Sequence, residues 1–390
     1  MTATESPVLN IEIVEAPVLP QRSLSPHIAT IAGFAAVLML LFVGTFVREQ
    51  PPFEENRPRN PYPPIGLQRH ELQDFPPWFD LALSDRFGYR DWLLEADRRF
   101  GYTVLNESRG PLGWIGRDGW LFLDVADPNR GHVEKPSLDE RLESWAVALC
   151  ERRDWLRDRG IEYVVLLPPE KSSVYPEFLT EKQKRSLPAS EPPSLLAAKL
   201  KTRGVRCIDP RSAFMEEKAK NPDFELYHRF DTHWTQDGAL LAVRQLRNEL
   251  GLTELSKEEF SPSTELREGD LGRTVGQPMA ERSRRTTVYV PKAIFDTDAD
   301  PAFASLLPAS AKPKHLPPRT FECRTAPGPR TVLLHDSFAE AMQPFLNVTF
   351  RRLSTAASDD LERAMIEAER PSLVVQELVA RKLYMTAPRK

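Results

Sequence analysis

The chain has 390 residues, 41% of them hydrophobic, a net charge of −4 and 36 prolines. That length supports one large core of about 270–320 residues with attachments. So small a charge, with no basic run, excludes a nucleic-acid binder.

Residues 1–26 are polar and broken by prolines, which predicts a disordered tail. Residues 28–47, Ile28 to Val47, are all uncharged. As a helix they span ~30 Å, the thickness of the hydrocarbon layer. A soluble core helix would carry a polar stripe, and this run has none. It is longer than the apolar part of a leader peptide and no A-x-A-like site follows, so a single uncleaved anchor is predicted. Arg22 precedes the span, whereas Arg48, Arg57 and Arg59 follow it. Taken alone, that asymmetry keeps the following chain inside the cell. Residues 48–70 include six prolines between Gln50 and Pro64, as suits a stiff tether.

Phe75 to Asn106 reads as helical, with Phe79, Leu83, Phe87, Trp92, Leu93, Ala96 and Phe100 near helical spacing. From Gly113 the pattern turns to α/β. A strand is predicted over Gly119–Asp124, after a turn at Arg117-Asp118-Gly119. Helices are predicted over Leu138–Arg159, Leu195–Arg203 and Ala239–Leu250, stopped by Gly160, Gly204 and Gly251. Ile161–Leu167 is an unbroken apolar run, as for a buried parallel strand. Further strands fall at Val205–Ile208, Thr331–Leu334 and Leu373–Gln376, and helices at Ala339–Phe345 and Leu361–Glu369. Asp296 to Pro318 is rich in proline and alanine and reads as a surface excursion. Alternating strands and helices imply a mostly parallel sheet covered on both faces, with ligands at the carboxyl ends of its strands.

Of the three cysteines, Cys150, Cys207 and Cys323, none makes a CxxC pair. Two readings stand: a bridge between Cys207 and Cys323, or three small buried hydrophobes, the latter favoured.

Two motifs carry chemistry. In Thr331-Val-Leu-Leu-His-Asp-Ser-Phe-Ala339 an apolar strand breaks into a helix at Ser337. Backbone N–H groups at such a helix start favour an oxyanion, although Asp and Ser are also ordinary helix caps. In Phe230-Asp-Thr-His-Trp-Thr-Gln-Asp-Gly-Ala239, Asp231 and His233 share a turn before a helix that Thr235 can cap. A serine hydroxyl needs a base, His can serve, and a carboxylate on its other nitrogen fixes the tautomer. A capping Asp beside a solvent-facing His is the plainer alternative. There is no HExxH and only His228 lies nearby, so no metal is expected, and no cofactor.

FDTHWTQDGA resembles the DTHW motif of the alginate O-acetyltransferases of the AlgJ/AlgX type, whose domain is SGNH-hydrolase-like. SDRFGYRDWL (84–93), GRDGWLFL (116–123), PEKSSVYPE (169–177) and EGDLG (268–272) agree with it, and LLHDSF stands where the family has its GDSF-like nucleophile motif. The resemblance covers roughly 70–385. It implies an α/β, SGNH-hydrolase-like three-layer catalytic domain over 71–390, preceded by a single N-terminal transmembrane helix. It also implies Ser337 as nucleophile, His233 as base and Asp231 as orienting acid. The implied activity is O-acetylation of a polysaccharide acceptor outside the cytoplasm, with acetyl supplied through a multi-span membrane acyltransferase and the bilayer contacted through 28–47. A carbohydrate O-acetyl esterase and a non-catalytic subunit of an export complex are the alternatives. The sequence departs from the family at His335, where Gly is expected, and does not run on into a carbohydrate-binding module.

Four residues are weaker substrate-binding candidates. Lys171 and Tyr175 follow the Ile161–Leu167 strand, with surface or packing roles as the alternative. Trp234 stacks on a sugar or fills core. Arg381 contacts substrate or pairs with Glu377, four residues before it. Asp270, in the GDL segment, is undecided.

Overall fold

A computed structural model describes residues 25–47, 69–85, 88–110, 113–124, 137–188, 190–255, 260–288, 295–298, 305–308, 316–385 and 387–388. The predicted tail 1–26 and tether 48–70 fall almost wholly outside the described residues. The chain forms two units, residues 1–94 and 95–390.

In the first unit a helix covers Ser25–Val47, and its stretch His27–Thr45 has a mean hydropathy of 2.3. It is long and apolar enough to cross a membrane. The helical run predicted over 75–106 is not continuous. It divides into Arg69–Ser84 in this unit, Arg90–Phe100 across the unit boundary and, in the second unit, a π-turn Gly101–Leu105 closed by Asn106 in the left-handed region. Tyr89, also left-handed at φ 63°, marks the first break.

The second unit is built on a seven-stranded sheet. Its strands are β3 (Glu162–Leu166), β4 (Arg206–Ile208), β7 (Phe295–Asp298), β8 (Arg319–Glu322), β9 (Gly328–Leu334), β10 (Phe350–Ala356) and β11 (Leu373–Glu377). Their order is β4-β3-β11-β9-β10-β8-β7. The first five run parallel, and β8 and β7 add antiparallel pairings at one edge. Two ribbons lie outside this sheet: β1 (Gly113–Ile115) with β2 (Leu121–Leu123), and β5 (Phe260–Glu268) with β6 (Ala280–Val288).

Strand side chains alternate between faces, so a continuous apolar run must be covered twice. Val164, Leu166, Leu333, Leu373 and Val375 pack on one face with the helices Gln236–Glu249 and Ala339–Thr349. Val165, Val332, Leu334 and Val374 pack on the other with Leu138–Arg157, Pro192–Thr202 and Arg363–Glu369. The result is three layers, with a core on each side of the sheet. Each fully buried Val or Leu stabilises this arrangement by roughly 1.5–3 kcal/mol. The three predicted stops, Gly160, Gly204 and Gly251, all lie near φ +70°, where a β-carbon would be strained.

One expectation is corrected here. The stretch from Asp296 to Pro318 is not simply a surface excursion: its start lies in edge strand β7, and Leu307 and Leu316 are buried. Of the two readings of the cysteines the favoured, unbridged one holds, with Cys323 buried and Cys150 and Cys207 partly buried. All three cysteines are free, Cys207 in β4 at one end of the strand order and Cys323 just after β8 near the other. Burial pushes the Cys207 thiol upward, consistent with an inert packing group.

Candidate active site

Ser337, His233 and Asp231 converge at the carboxyl edge of the sheet. β9 ends at Leu334, and the next three residues turn toward the helix Ala339–Thr349. Asp336 locks that turn. Its Oδ1 accepts from the Phe338 N–H (3.0 Å) and its Oδ2 from the Val379 N–H (2.9 Å), while its own N–H donates to Glu377 Oε2 (2.9 Å). The turn is thereby bound to the end of β11. The Ser337 N–H has no acceptor among the described residues, and Ser337 stands two residues before the helix Ala339–Thr349. Such an amide is free to receive negative charge.

The His233 turn is closed from behind. Thr235 N donates to Leu226 O (2.9 Å) and the Thr235 hydroxyl accepts from Gly238 N, capping Gln236–Glu249 as its sequence suggests. Asp231 Oδ1 accepts from the His233 backbone N–H (2.8 Å) and lies 2.7 Å from His233 Nδ1. His233 Nε2 is 2.8 Å from Ser337 Oγ. Arg267 Nη2 reaches the other oxygen of Asp231 at 3.3 Å. Burial alone would raise the Asp231 carboxyl, but the bonds from His233 and the charge of Arg267 hold it well below the usual carboxylate range. An ionised Asp231 favours a proton on Nδ1, and with the proton there Nε2 is the basic nitrogen facing the serine.

An outer shell holds this turn. Glu281 accepts from the N–H groups of Arg229 (2.9 Å) and Phe230 (3.0 Å). Asp270 accepts from the Thr232 N–H (2.8 Å) and hydroxyl (2.6 Å). A β-carbon on Gly269 would stand 2.0 Å from Phe230 O, so only glycine lets this segment approach.

The four weaker candidates all have partners within the protein. Lys171 is buried, and its ammonium donates to the carbonyls of Leu121, Arg229 (2.8 Å) and Asp231 (3.2 Å). Burial pushes it down to about 7. It ties the His233 turn to β2. Tyr175 is buried against Trp120, with its hydroxyl accepting from Leu226 N. Trp234 is 1% exposed and donates to Phe338 O (2.9 Å), so it has no open face for a sugar ring. Arg381 pairs not with Glu377 but with Glu170 (3.1 Å), to which its backbone N–H also donates (2.9 Å). That pair joins the loops after β3 and β11. The sequence reading missed the roles of Arg267 and Glu281, and gave Glu377 a different partner. Glu170 lies within the PEKSSVYPE stretch and Arg267 just before EGDLG, whereas Glu281 had no nearby signal.

Asp231, His233 and Asp270 offer three donors of the kind metals use, all within 4.8 Å of one another. Each already has a protein partner, and His228 does not join them. His228 is buried instead, and burial followed by the charge of Arg267 pushes it down to about 4. His335, buried two residues before Ser337, turns its Nδ1 to the Asp336 carbonyl (2.7 Å).

Residues 114–316 match the SGNH hydrolase-like domain of the acetyltransferase AlgX, just over half of the chain. The chain belongs to this family. The AlgX-type match contains Asp231 and His233, and Ser337 lies beyond it. The chain is 26% identical over 275 residues to the probable alginate O-acetylase AlgJ of Pseudomonas aeruginosa, covering 70% of this chain and 63% of that protein. AlgJ of Pseudomonas fluorescens is 31% identical over 147 residues, covering 37% of this chain and 34% of that one. The chain thus spans less than two thirds of these relatives' lengths. Bacillus cereus PatB1 shares the fold, with a TM-score of 0.51 at 16% identity over 68% of this chain and 95% of that chain.

Proposed function

We propose that this protein is a polysaccharide O-acetyltransferase working outside the cytoplasm through an acetyl-Ser337 intermediate. One observation carries the reading: Asp231, His233 and Ser337 form an unbroken relay of 2.7 and 2.8 Å beside an unpaired helix-start amide. The curated relatives' names, alginate O-acetylases, support the polysaccharide acceptor.

The chemistry follows from the geometry. Ser337 Oγ attacks the carbonyl carbon of an acetyl ester while its proton passes to His233 Nε2. The carbonyl oxygen becomes an oxyanion beside the Ser337 N–H. The intermediate collapses, the donor's alkoxide leaves and takes the proton from His233, and acetyl-Ser337 remains. A sugar hydroxyl then gives its proton to His233 and attacks the acetyl carbon, and Ser337 Oγ leaves with that proton. Asp231 stays ionised throughout and stabilises the imidazolium. In this reading the acetyl group arrives through a multi-span membrane acyltransferase, and residues 28–47 hold the protein in the bilayer.

The His233 side chain is 21% exposed, so water can compete with the acceptor. This favours some esterase activity with the same residues. The test uses the full-length protein in detergent with p-nitrophenyl acetate as donor and an oligosaccharide acceptor. Ser337→Ala and His233→Ala should each lose nearly all turnover, and an acetyl adduct on Ser337 should be trapped by mass spectrometry when acceptor is omitted. Unchanged turnover in Ser337→Ala would refute the mechanism. Product partition between acetylated glycan and acetate separates transferase from esterase.

A further inference from the structure

We propose that Asp270 is a positioning residue that fixes the tautomer of His233 through the hydroxyl of Thr232. The inference rests on the serine mechanism above and adds to it a residue outside the Asp231–His233–Ser337 relay.

Asp270 opens the 3-10 turn Asp270–Val275, which follows β5. It takes both donors of Thr232: the N–H at 2.8 Å on Oδ1 and the hydroxyl at 2.6 Å on Oδ2. A threonine hydroxyl has one proton. A carboxylate only accepts, so that proton lies on the line to Asp270. The same Thr232 oxygen is 3.2 Å from His233 Nδ1. With its proton committed, it presents only lone pairs to the ring and must accept from Nδ1–H. Asp270 Oδ2 itself lies 3.6 Å from Nδ1, with its side chain 44% exposed, while Asp231 sits on the buried side at 2.7 Å. Nδ1 therefore meets acceptors on both sides. Asp231 alone favours a proton there. The oriented hydroxyl removes the competing arrangement, in which Thr232 donates to a bare Nδ1 and the proton sits on Nε2. In that tautomer His233 could not take the proton of Ser337.

Asn at 270 is nearly isosteric and can still accept from the Thr232 N–H. Its amide N–H₂ then faces the hydroxyl oxygen and donates to it. The hydroxyl proton is released to turn toward His233 Nδ1. A merely structural role for Asp270 would leave Asp270→Asn close to native, whereas the tautomer role would not. The experiment measures kcat and KM for p-nitrophenyl acetate with full-length protein in detergent, alongside thermal midpoints. Asp270→Asn should lose roughly tenfold or more in kcat with KM and midpoint near native. Thr232→Val, which keeps the N–H bond but removes the hydroxyl, should restore most of the kcat lost in Asp270→Asn when the two are combined, because no hydroxyl is then left to donate to Nδ1. Asp270→Asn within twofold of native kcat would overturn the proposal. So would a double variant no faster than Asp270→Asn alone. Should Asp270→Asn misfold, a loss of roughly tenfold or more in Thr232→Val would overturn it equally, because that variant has no hydroxyl to donate to Nδ1. Ser337→Ala in the same assay separates the two levels. If it is inactive while Asp270→Asn is native-like, only the role of Asp270 falls. If it retains turnover, the serine mechanism falls and this inference with it.

Discussion

Glu377 and Asp231 are both buried carboxyls beside the Ser337 and His233 turns, and their surroundings drive them in opposite directions. Asp231 faces His233 and Arg267, which outweigh its burial. Glu377 is fully buried, with Oε2 on the Asp336 N–H and Oε1 unpartnered. Burial, and then the neighbouring Asp336 carboxyl, push it far above its ordinary value. The folded protein thus keeps a proton on Glu377 that the unfolded chain loses above about 4.5. Where the folded state binds more protons, stability falls as pH rises. Glu377→Gln cannot ionise and escapes that fall. The difference in thermal midpoint between Glu377→Gln and the native protein should therefore shift in the variant's favour from pH 5 to pH 8. Parallel midpoints across that range would show that Glu377 is ionised in the fold. For Asp231 the sign reverses: its contribution is present above the ordinary carboxylate range and is lost as pH falls.

The β5–β6 ribbon and its connecting turn act as a clamp on the His233 turn. Arg267 from β5, Asp270 from the turn and Glu281 from β6 each hold a different residue between 229 and 232. Glu281 carries two charge-assisted bonds, and losing them should cost about 2–4 kcal/mol in Glu281→Ala. Activity should fall further than the midpoint implies at assay temperature, because a loosened turn displaces His233 from Ser337. Kinetics and melting curves on one preparation check this, and native kcat in a clearly destabilised variant would deny the clamp any role in placing His233. The clamp also marks the limit of what sequence makes legible. Both motif turns are local: Thr235 capping its helix and a strand breaking at His335-Asp336-Ser337 are readable from neighbouring residues. Glu281 meets Arg229 across 52 positions and Asp270 meets Thr232 across 38, and nothing local announces either. β10 escaped notice for a similar reason. Arg351 and Arg352 interrupt its apolar pattern, and only the fold supplies Glu322 and Glu369 as partners for Arg352. Lys171, Tyr175 and Trp234 follow the same logic. Their place after a strand or beside the histidine was readable, but the side on which each chain is buried was not.

At the scale of the molecule, the parallel sheet was legible because apolar runs such as 161–167 need cover on both faces, and the two cores provide it. The apolar helix Ser25–Val47 was equally plain. Its orientation is where two physical arguments collide. One arginine before the span and Arg48, Arg57 and Arg59 after it favour keeping the following chain inside. The proposed acetyl transfer to an exported glycan requires it outside. The charge rule weighs short flanks, and large domains translocate largely regardless of it, so an excess of two arginines is a weak constraint on the 95–390 unit. We therefore expect the full-length protein to resist alkaline carbonate extraction, and protease added to intact spheroplasts to digest the 95–390 unit. If that unit is protected until the membrane is permeabilised, the flanking arginines have prevailed. Acetylation would then have to act on a glycan precursor before export, with the same Ser337 chemistry on the other side of the bilayer.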